Sequence, residues 1–261
     1  MKFTEGKMIS SRIRHACSFR TAACALILLI ASVDSPSLAG PPFDTDDPEP
    51  VDYLHWEFYL ASVQRFQKSE SDATLPHVEI NYGAAPDLQL HIIAPMGYVH
   101  TAEGTRYGYS DTEIGVKYRL IEETDNSPQV GIFPLLELPT GNQDKDLGHG
   151  KAQFFLPVWF QKSWGDFTTY GGGGYWYNPG TDSQNYVFAG WEAQYDFSKV
   201  LTLGGELYYH TADSPSSKSE GAFNVGGYVN FNEHNHLLFS IGRSFVNGGA
   251  TTGYLGYQVT I

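Results

Sequence analysis

The stretch "TEIGVKYRL", residues 112–120, decides the fold. Ile114, Val116, Tyr118 and Leu120 stand on one phase of a two-residue alternation, and Glu113, Gly115, Lys117 and Arg119 stand on the other. Side chains of an extended strand point alternately to opposite faces, so one face here is oily and the other carries charge. The same period recurs outward along the chain. "HVEINYG" (77–83) sets Val78, Ile80 and Tyr82 against His77, Glu79 and Asn81. "LTLGGELYYH" (201–210) sets Leu203, Leu207 and Tyr209 against Thr202 and Glu206, and "AFNVGGYVNF" (222–231) sets Phe223, Val225, Val229 and Phe231 against Asn224, Tyr228 and Asn230. Such runs predict twelve strands, near 55–65, 77–83, 88–98, 112–121, 129–138, 153–162, 167–177, 186–196, 201–210, 222–231, 236–245 and 252–261.

Connection lengths sharpen the reading. Polar links such as "QKSESDATLP", "TAEGTRYGYSD", "TGNQDKDLGHGKA", "NPGTDSQN" and "TADSPSSKSE" interleave with tight ones such as "AAPD", "SWGD" and "DFSKV". Long loops on one side and short turns on the other belong to a barrel that crosses a bilayer, and strands of about 10 residues suit a tilted transmembrane strand. Aromatic residues make up 15% of the chain, and Trp56, Trp159, Trp164, Trp176 and Trp191 mostly fall near strand ends, where interface girdles would place them. The expected fold over residues 55–261 is therefore all-β, a transmembrane antiparallel up-and-down β-barrel of about twelve strands. A soluble secreted barrel or sandwich also alternates, but it has no reason to sort its connections by side. The last strand, "YLGYQVTI", with Gly256, Val259 and Ile261, looks like the signal by which outer-membrane assembly machinery takes up its clients. Ile261 departs from the usual closing aromatic.

Residues 1–39 carry Lys2, Lys7, Arg12, Arg14 and Arg20, the apolar run "AACALILLIASV" (22–33) and then "SLAG". That order predicts a signal peptide cut before Gly40, with Ser37 and Ala39 as its small residues, and an address in the outer membrane of a Gram-negative bacterium. An apolar core of about 12 residues is short of the roughly 20 that span a bilayer as a helix. Both cysteines, Cys17 and Cys24, lie in this leader, so disulfides and thiol chemistry are not expected in the mature chain. Removing five of 16 basic and two of 29 acidic residues leaves 11 against 27, a net charge of −16. Phosphate binding needs a basic stripe, so a nucleic-acid partner is excluded.

Several stretches together, "PPFDTDDPEPVDYLHWEFYLAS", "GIFPLLELPTGN" and "LGHGKAQFFLPVWFQKSWGDFTTYGGGGY", resemble the family described as putative MetA-pathway of phenol degradation. The resemblance implies an outer-membrane barrel that passes small aromatic or hydrophobic compounds, and it brings no catalytic residues. The residues add an oily surface of their own. If Val130, Ile132, Leu136 and Leu138 meet lipid, Phe133 and Leu135 point inward, and one register of Phe154, Leu156, Val158 and Phe160 should do so too. This apolar wall would face lumen charges at Glu79, Glu113, Lys117, Arg119, Glu192 and Glu206, which would set selectivity. Equally, the apolar residues pack against a plug or against each other.

Between leader and barrel lies an acidic, proline-bearing segment, residues 40–54. Its prolines disfavour both helix and central strand. Phe43, Asp44, Asp46, Asp47 and Glu49 make it a candidate plug, its carboxylates facing Lys117, Arg119, Arg65 and Lys162 and its ring on the apolar wall. A solvated tail is the other reading.

Other constellations point to little chemistry. "EHNH" (233–236) lacks a third ligand, and no metal or cofactor is expected. "GGGG" (171–174) lacks the lysine and helix of a phosphate loop and instead lets a neighbouring backbone or a plug come close. Ser240 has no histidine at a telling spacing, so an enzyme is not expected. The partners expected are outer-membrane lipid, the assembly machinery and a small hydrophobic or aromatic solute. The function expected is passive uptake; a non-conducting structural or adhesive barrel is the alternative, with a barrel lipid hydrolase or a soluble secreted barrel behind it.

Overall fold

A computed structural model describes residues 40–261; the expected leader lies outside the described residues. The strand segments are β1 (Trp56–Phe66), β2 (Glu70–Ala85), β3 (Leu88–Thr101), β4 (Gly104–Tyr109), β5 (Thr112–Ile121), β6 (Gln129–Ile132), β7 (Leu135–Leu138), β8 (Gln153–Trp164), β9 (Phe167–Tyr177), β10 (Tyr186–Asp196), β11 (Leu201–His210), β12 (Glu220–Asn232), β13 (Asn235–Val246) and β14 (Thr251–Thr260). β4 and β5 both pair with β3 and form one broken stave; β6 and β7 both lie between β5 and β8 and form another. Twelve antiparallel staves result, and β1 pairs with β14 (Tyr59 opposite Gln258, Ala61 opposite Gly256) to close the barrel. Hydrocarbon offers no partner for a free backbone group, which is why a membrane sheet must close.

Alternation assigns the two faces. Leu60, Leu90, Ile114, Leu120, Leu156, Leu207, Val225, Ile241 and Leu255 are exposed on the outside, where lipid covers them. Their strand neighbours are buried within, in two clusters: Tyr59, Tyr228 and Leu238, and Phe133, Phe155 and Trp159.

The structure differs from the sequence expectation in four places. β2 begins at Glu70, because "SDAT" pairs with β1 and the bulge at Leu75 and Pro76 absorbs a proline that has no N–H to give the ladder. "TAEGTRYGYSD" folds into a hairpin rather than a loop, turning at Gly104, whose φ of +136° suits glycine alone. Two of the connections expected to be long are therefore tight. The stave expected over 129–138 breaks at Pro134, whose carbonyl still accepts the Val116 N–H at 3.1 Å. Finally, Trp159 is buried inside and Trp176 packs against the inner cluster, so only Trp56, Trp164 and Trp191 stand exposed as girdle residues would.

Gly256 faces inward between Ala61 and Leu238, while Ile261 is exposed and its backbone exchanges two hydrogen bonds with Trp56, at 2.8 and 2.9 Å. Val259 lies opposite Phe58 on the same seam.

Candidate functional site

Residues 40–52 run inside the barrel, and successive strands supply partners for several of the segment's polar groups. Glu206 on β11 accepts the backbone N–H groups of Asp44 and Thr45, one on each carboxylate oxygen, both at 2.8 Å. Asn224 on β12 donates to Asp44 at 2.8 Å and to Glu206 at 2.6 Å. Lys117 on β5 reaches Asp46 at 2.9 Å and Asp47 at 3.2 Å, and Arg119 two residues on reaches Glu49 at 3.1 Å. Gln89 accepts the Val51 N–H at 2.9 Å, and the Ser240 hydroxyl donates to the Pro42 carbonyl at 2.7 Å. A bridge from Tyr53 to Gly83 ties the end of the segment to β2.

Close approach is possible because the wall is thinned where the segment lies. A Cβ at Gly190 would stand 2.1 Å from the Thr45 hydroxyl. The four glycines 171–174 do something else: a Cβ at Gly174 would meet the Phe155 ring at 2.7 Å and one at Gly172 the Trp159 ring at 3.0 Å, so they seat inner rings and neighbouring strands, not the segment.

Burial and charge act together on the carboxylates of the segment. Burial by itself raises the Asp46 carboxyl, but Lys117 overrides it and holds that group below the ordinary carboxylate range. Burial pushes Asp47 up despite the same lysine, and pushes Asp44 up despite the hydrogen bond from Asn224. Arg65 and Lys162 make no ion pair with the segment: Arg65 makes a two-pronged pair with Glu220 (3.0 and 2.6 Å) and Lys162 pairs with Glu123 at 2.7 Å. Phe43 is buried, beside the Pro42 carbonyl that β13 holds, and the ring pairs of the inner wall do not include it.

Phe133 and Leu135 both belong to the inner aromatic cluster. Phe154, Leu156, Val158 and Phe160 all face outward, contrary to expectation, and Phe155 and Trp159 take the inward phase of β8. From there a band of rings crosses four staves. Phe155 stacks on Trp176 at 4.7 Å, Phe188 meets Phe155 and Trp159 edge-on at 6.3 Å, and Phe188 stacks on Tyr208 at 6.0 Å. Beside it runs a polar relay: Asn81 donates to Glu79 at 2.9 Å, and His91 touches Asn81 at 2.7 Å and Glu113 at 3.1 Å. His91 also meets Phe133 edge-on, and the Lys117 ammonium sits 5.0 Å from the same ring. Glu192 is fully buried on β10, opposite Tyr170 and Glu206 in register, and neither of its oxygens has a hydrogen-bond partner among the described residues.

Sequence reasoning missed Phe155, Phe188 and His91, took Trp159 and Trp176 for girdle residues, and put Asn81 on the polar phase without a role in the lumen. A signal for β8 was present: Gln153 and Gln161 share the phase of Phe155 and Trp159, and polar ends mark a lumen phase. It also missed Asp111, Glu137 and His149, three acid and imidazole side chains from separate parts of the chain that meet near the long connection 139–152.

Known proteins share this architecture. An outer membrane channel from Pseudomonas putida F1, 17% identical, superposes with a TM-score of 0.72 over 84% of this chain and 100% of that one. The NanC porin (8% identical, TM-score 0.57) and the KdgM porin (13%, 0.53) each match 77% of this chain and 98% of their own. At such identities the likeness is one of fold. No curated protein matches the chain. The family model described as "Putative MetA-pathway of phenol degradation" matches residues 67–261, which is all of the barrel beyond its first stave. With most of its length matched, the chain belongs to that family.

Proposed function

We propose that the protein is an outer-membrane channel for small aromatic or hydrophobic solutes, exported through a cleaved leader and closed by residues 40–52. The observation that carries this reading is the asymmetry of the lumen: rings of Phe133, Phe155, Trp159, Trp176 and Phe188 on one wall, and Glu79, His91, Glu113, Lys117 and Arg119 on another. A pathway for hydrated ions would be polar all round, whereas a site for an aromatic solute needs apolar faces with a few placed polar groups. The similar Pseudomonas putida protein is itself described as an outer membrane channel, which supports the class. In the closed form Lys117, Arg119 and Glu206 serve the segment; with the segment withdrawn they become the selectivity groups, together with Glu192.

A non-conducting structural barrel is the second reading, favoured by how fully Tyr170, Tyr228 and Trp159 fill the interior. Planar-bilayer conductance separates the two. The mature protein is expected to be nearly silent and a form lacking residues 40–53 to conduct, with its current reduced by small aromatic solutes. Silence of both forms, each folded, would establish the structural reading.

A further inference from the structure

We propose that Asp111, Glu137 and His149 form a binding site for one divalent transition-metal ion of the zinc class, at the lumen side of the long connection 139–152. Asp111 lies in the break between β4 and β5, Glu137 on β7, and His149 near the end of that connection. One ligand atom from each lies within 4.8 Å of the other two. The His149 Nδ1 is 3.1 Å from the Glu137 carboxylate and 3.3 Å from Asp111. Around a zinc ion with bonds of about 2.0–2.2 Å, tetrahedral ligand atoms stand roughly 3.3–3.5 Å apart, so small shifts would complete the geometry with water in the fourth place.

Charge points the same way independently. Two carboxylates converge on one imidazole nitrogen, and among the described residues no lysine or arginine comes within ion-pair distance of either. The neighbouring Arg106 is taken by Asp146 at 2.7 Å. A single imidazole proton serves two anions poorly, while a divalent ion neutralises both and takes the nitrogen as a ligand. The outer shell is also in place: Asp111 accepts the backbone N–H of Gly141 at 2.8 Å and of His149 at 2.6 Å, the kind of support that fixes a ligating carboxylate.

Such an ion would act as a latch. β4 pairs with β3 alone among the described residues, and the connection 139–152 packs beside its end: the Ser110 hydroxyl donates to the Leu147 carbonyl at 2.6 Å, and Leu147 is buried against the lumen side of Gly97 and Gly108. The ion would join that connection to both broken staves through three side chains.

The test uses untagged mature protein in detergent micelles, with Zn²⁺ and the spectroscopic probe Co²⁺. One equivalent of Co²⁺ should bind with the intense visible absorption of a four-coordinate site, be displaced by Zn²⁺, and slow tryptic cleavage after Lys145. His149→Ala and Glu137→Gln, each checked for the heat-modifiable migration of a folded barrel, should weaken binding by about ten-fold or more and abolish the protection. His234→Ala, in an exposed turn, should change neither. Absence of saturable binding overturns the proposal, as does binding that survives both substitutions undiminished, which would mark an adventitious ion only.

Discussion

The ammonium of Lys117 stands 2.9 Å from the Asp46 carboxylate, a buried pair between residues 71 apart in the chain. Lys117 is 4% exposed and Asp46 23%, so solvent does little to replace either partner. Breaking such a pair from one side leaves an uncompensated charge and costs about 3 kcal/mol, on the order of 100-fold in the docked population. Lys117→Met should therefore release the segment. Residues 40–261 contain no cysteine, so in a protein of that span maleimide labelling of Thr45→Cys reports release directly; an unchanged labelling rate in Lys117→Met would refute the clamp.

Gly190 makes a second, steric prediction. Its missing side chain leaves room for the Thr45 hydroxyl, which a Cβ would meet at 2.1 Å. Gly190→Val should expel the segment while leaving the barrel ladder intact, and the full-length variant should then conduct as the truncated form does. Gly190→Ala, which adds that Cβ alone, should also loosen the segment, and combining it with Thr45→Gly should restore silence. Conduction by the double variant at the level of Gly190→Val would show that the two residues do not oppose each other.

Acid should first tighten the segment and only then free it. Asp44 and Asp47 have raised pKa values in the docked state, so their contribution to docking grows as they take up protons and is lost as pH rises through those values. Asp46 has a lowered value, so its contribution is present above the ordinary 3.8 and is lost only as pH falls below it. Labelling of Thr45→Cys, or single-channel openings where labelling chemistry fails in acid, should thus decline as pH falls from neutral and rise again only below about 3.8. A monotonic increase in opening from neutral pH downward would contradict this assignment.

The aromatic wall predicts a solute preference. In a form lacking residues 40–53, Trp159→Ala and Phe155→Ala should each weaken block by a small aromatic solute by about 1 kcal/mol, roughly five-fold, with little change in ion conductance. Leu207→Ala on the lipid face of β11 should alter neither. Equal loss of conductance for all solutes in Trp159→Ala would mean that the ring supports the barrel and not the solute.

The period-two pattern made most of the barrel legible because the two faces of each stave meet media as different as lipid and lumen. Legibility failed where a face is not uniform. On β8 both phases are apolar, and only the glutamines at its ends tell which phase turns inward. At residues 70–74 the strand carries polar and small residues on both phases, and at 104–109 the alternation rests on Tyr107 and Tyr109 alone, too short a run to separate from a loop. Phase alone offered Lys117, Arg119, Arg65 and Lys162 alike as partners of the acidic segment, and of the four Lys117 and Arg119 pair with it; that Arg65 instead meets Glu220 was not recognisable, because register across the barrel is set by bulges that the pattern does not encode. The meeting of Asp111, Glu137 and His149 depends on two breaks in the staves and on the course of an irregular connection.

The seam between Trp56 and Ile261 also dictates an order of events. It joins the first strand to the last, so the cylinder cannot seal until every intervening hairpin is in place. The segment enters the lumen directly from the start of β1 and is anchored to β2 by Tyr53. Whatever carries β1 to its partner therefore carries the segment with it, and the step that completes the pore is also the step that can enclose its stopper: a nascent barrel would never have to pass through a leaky stage.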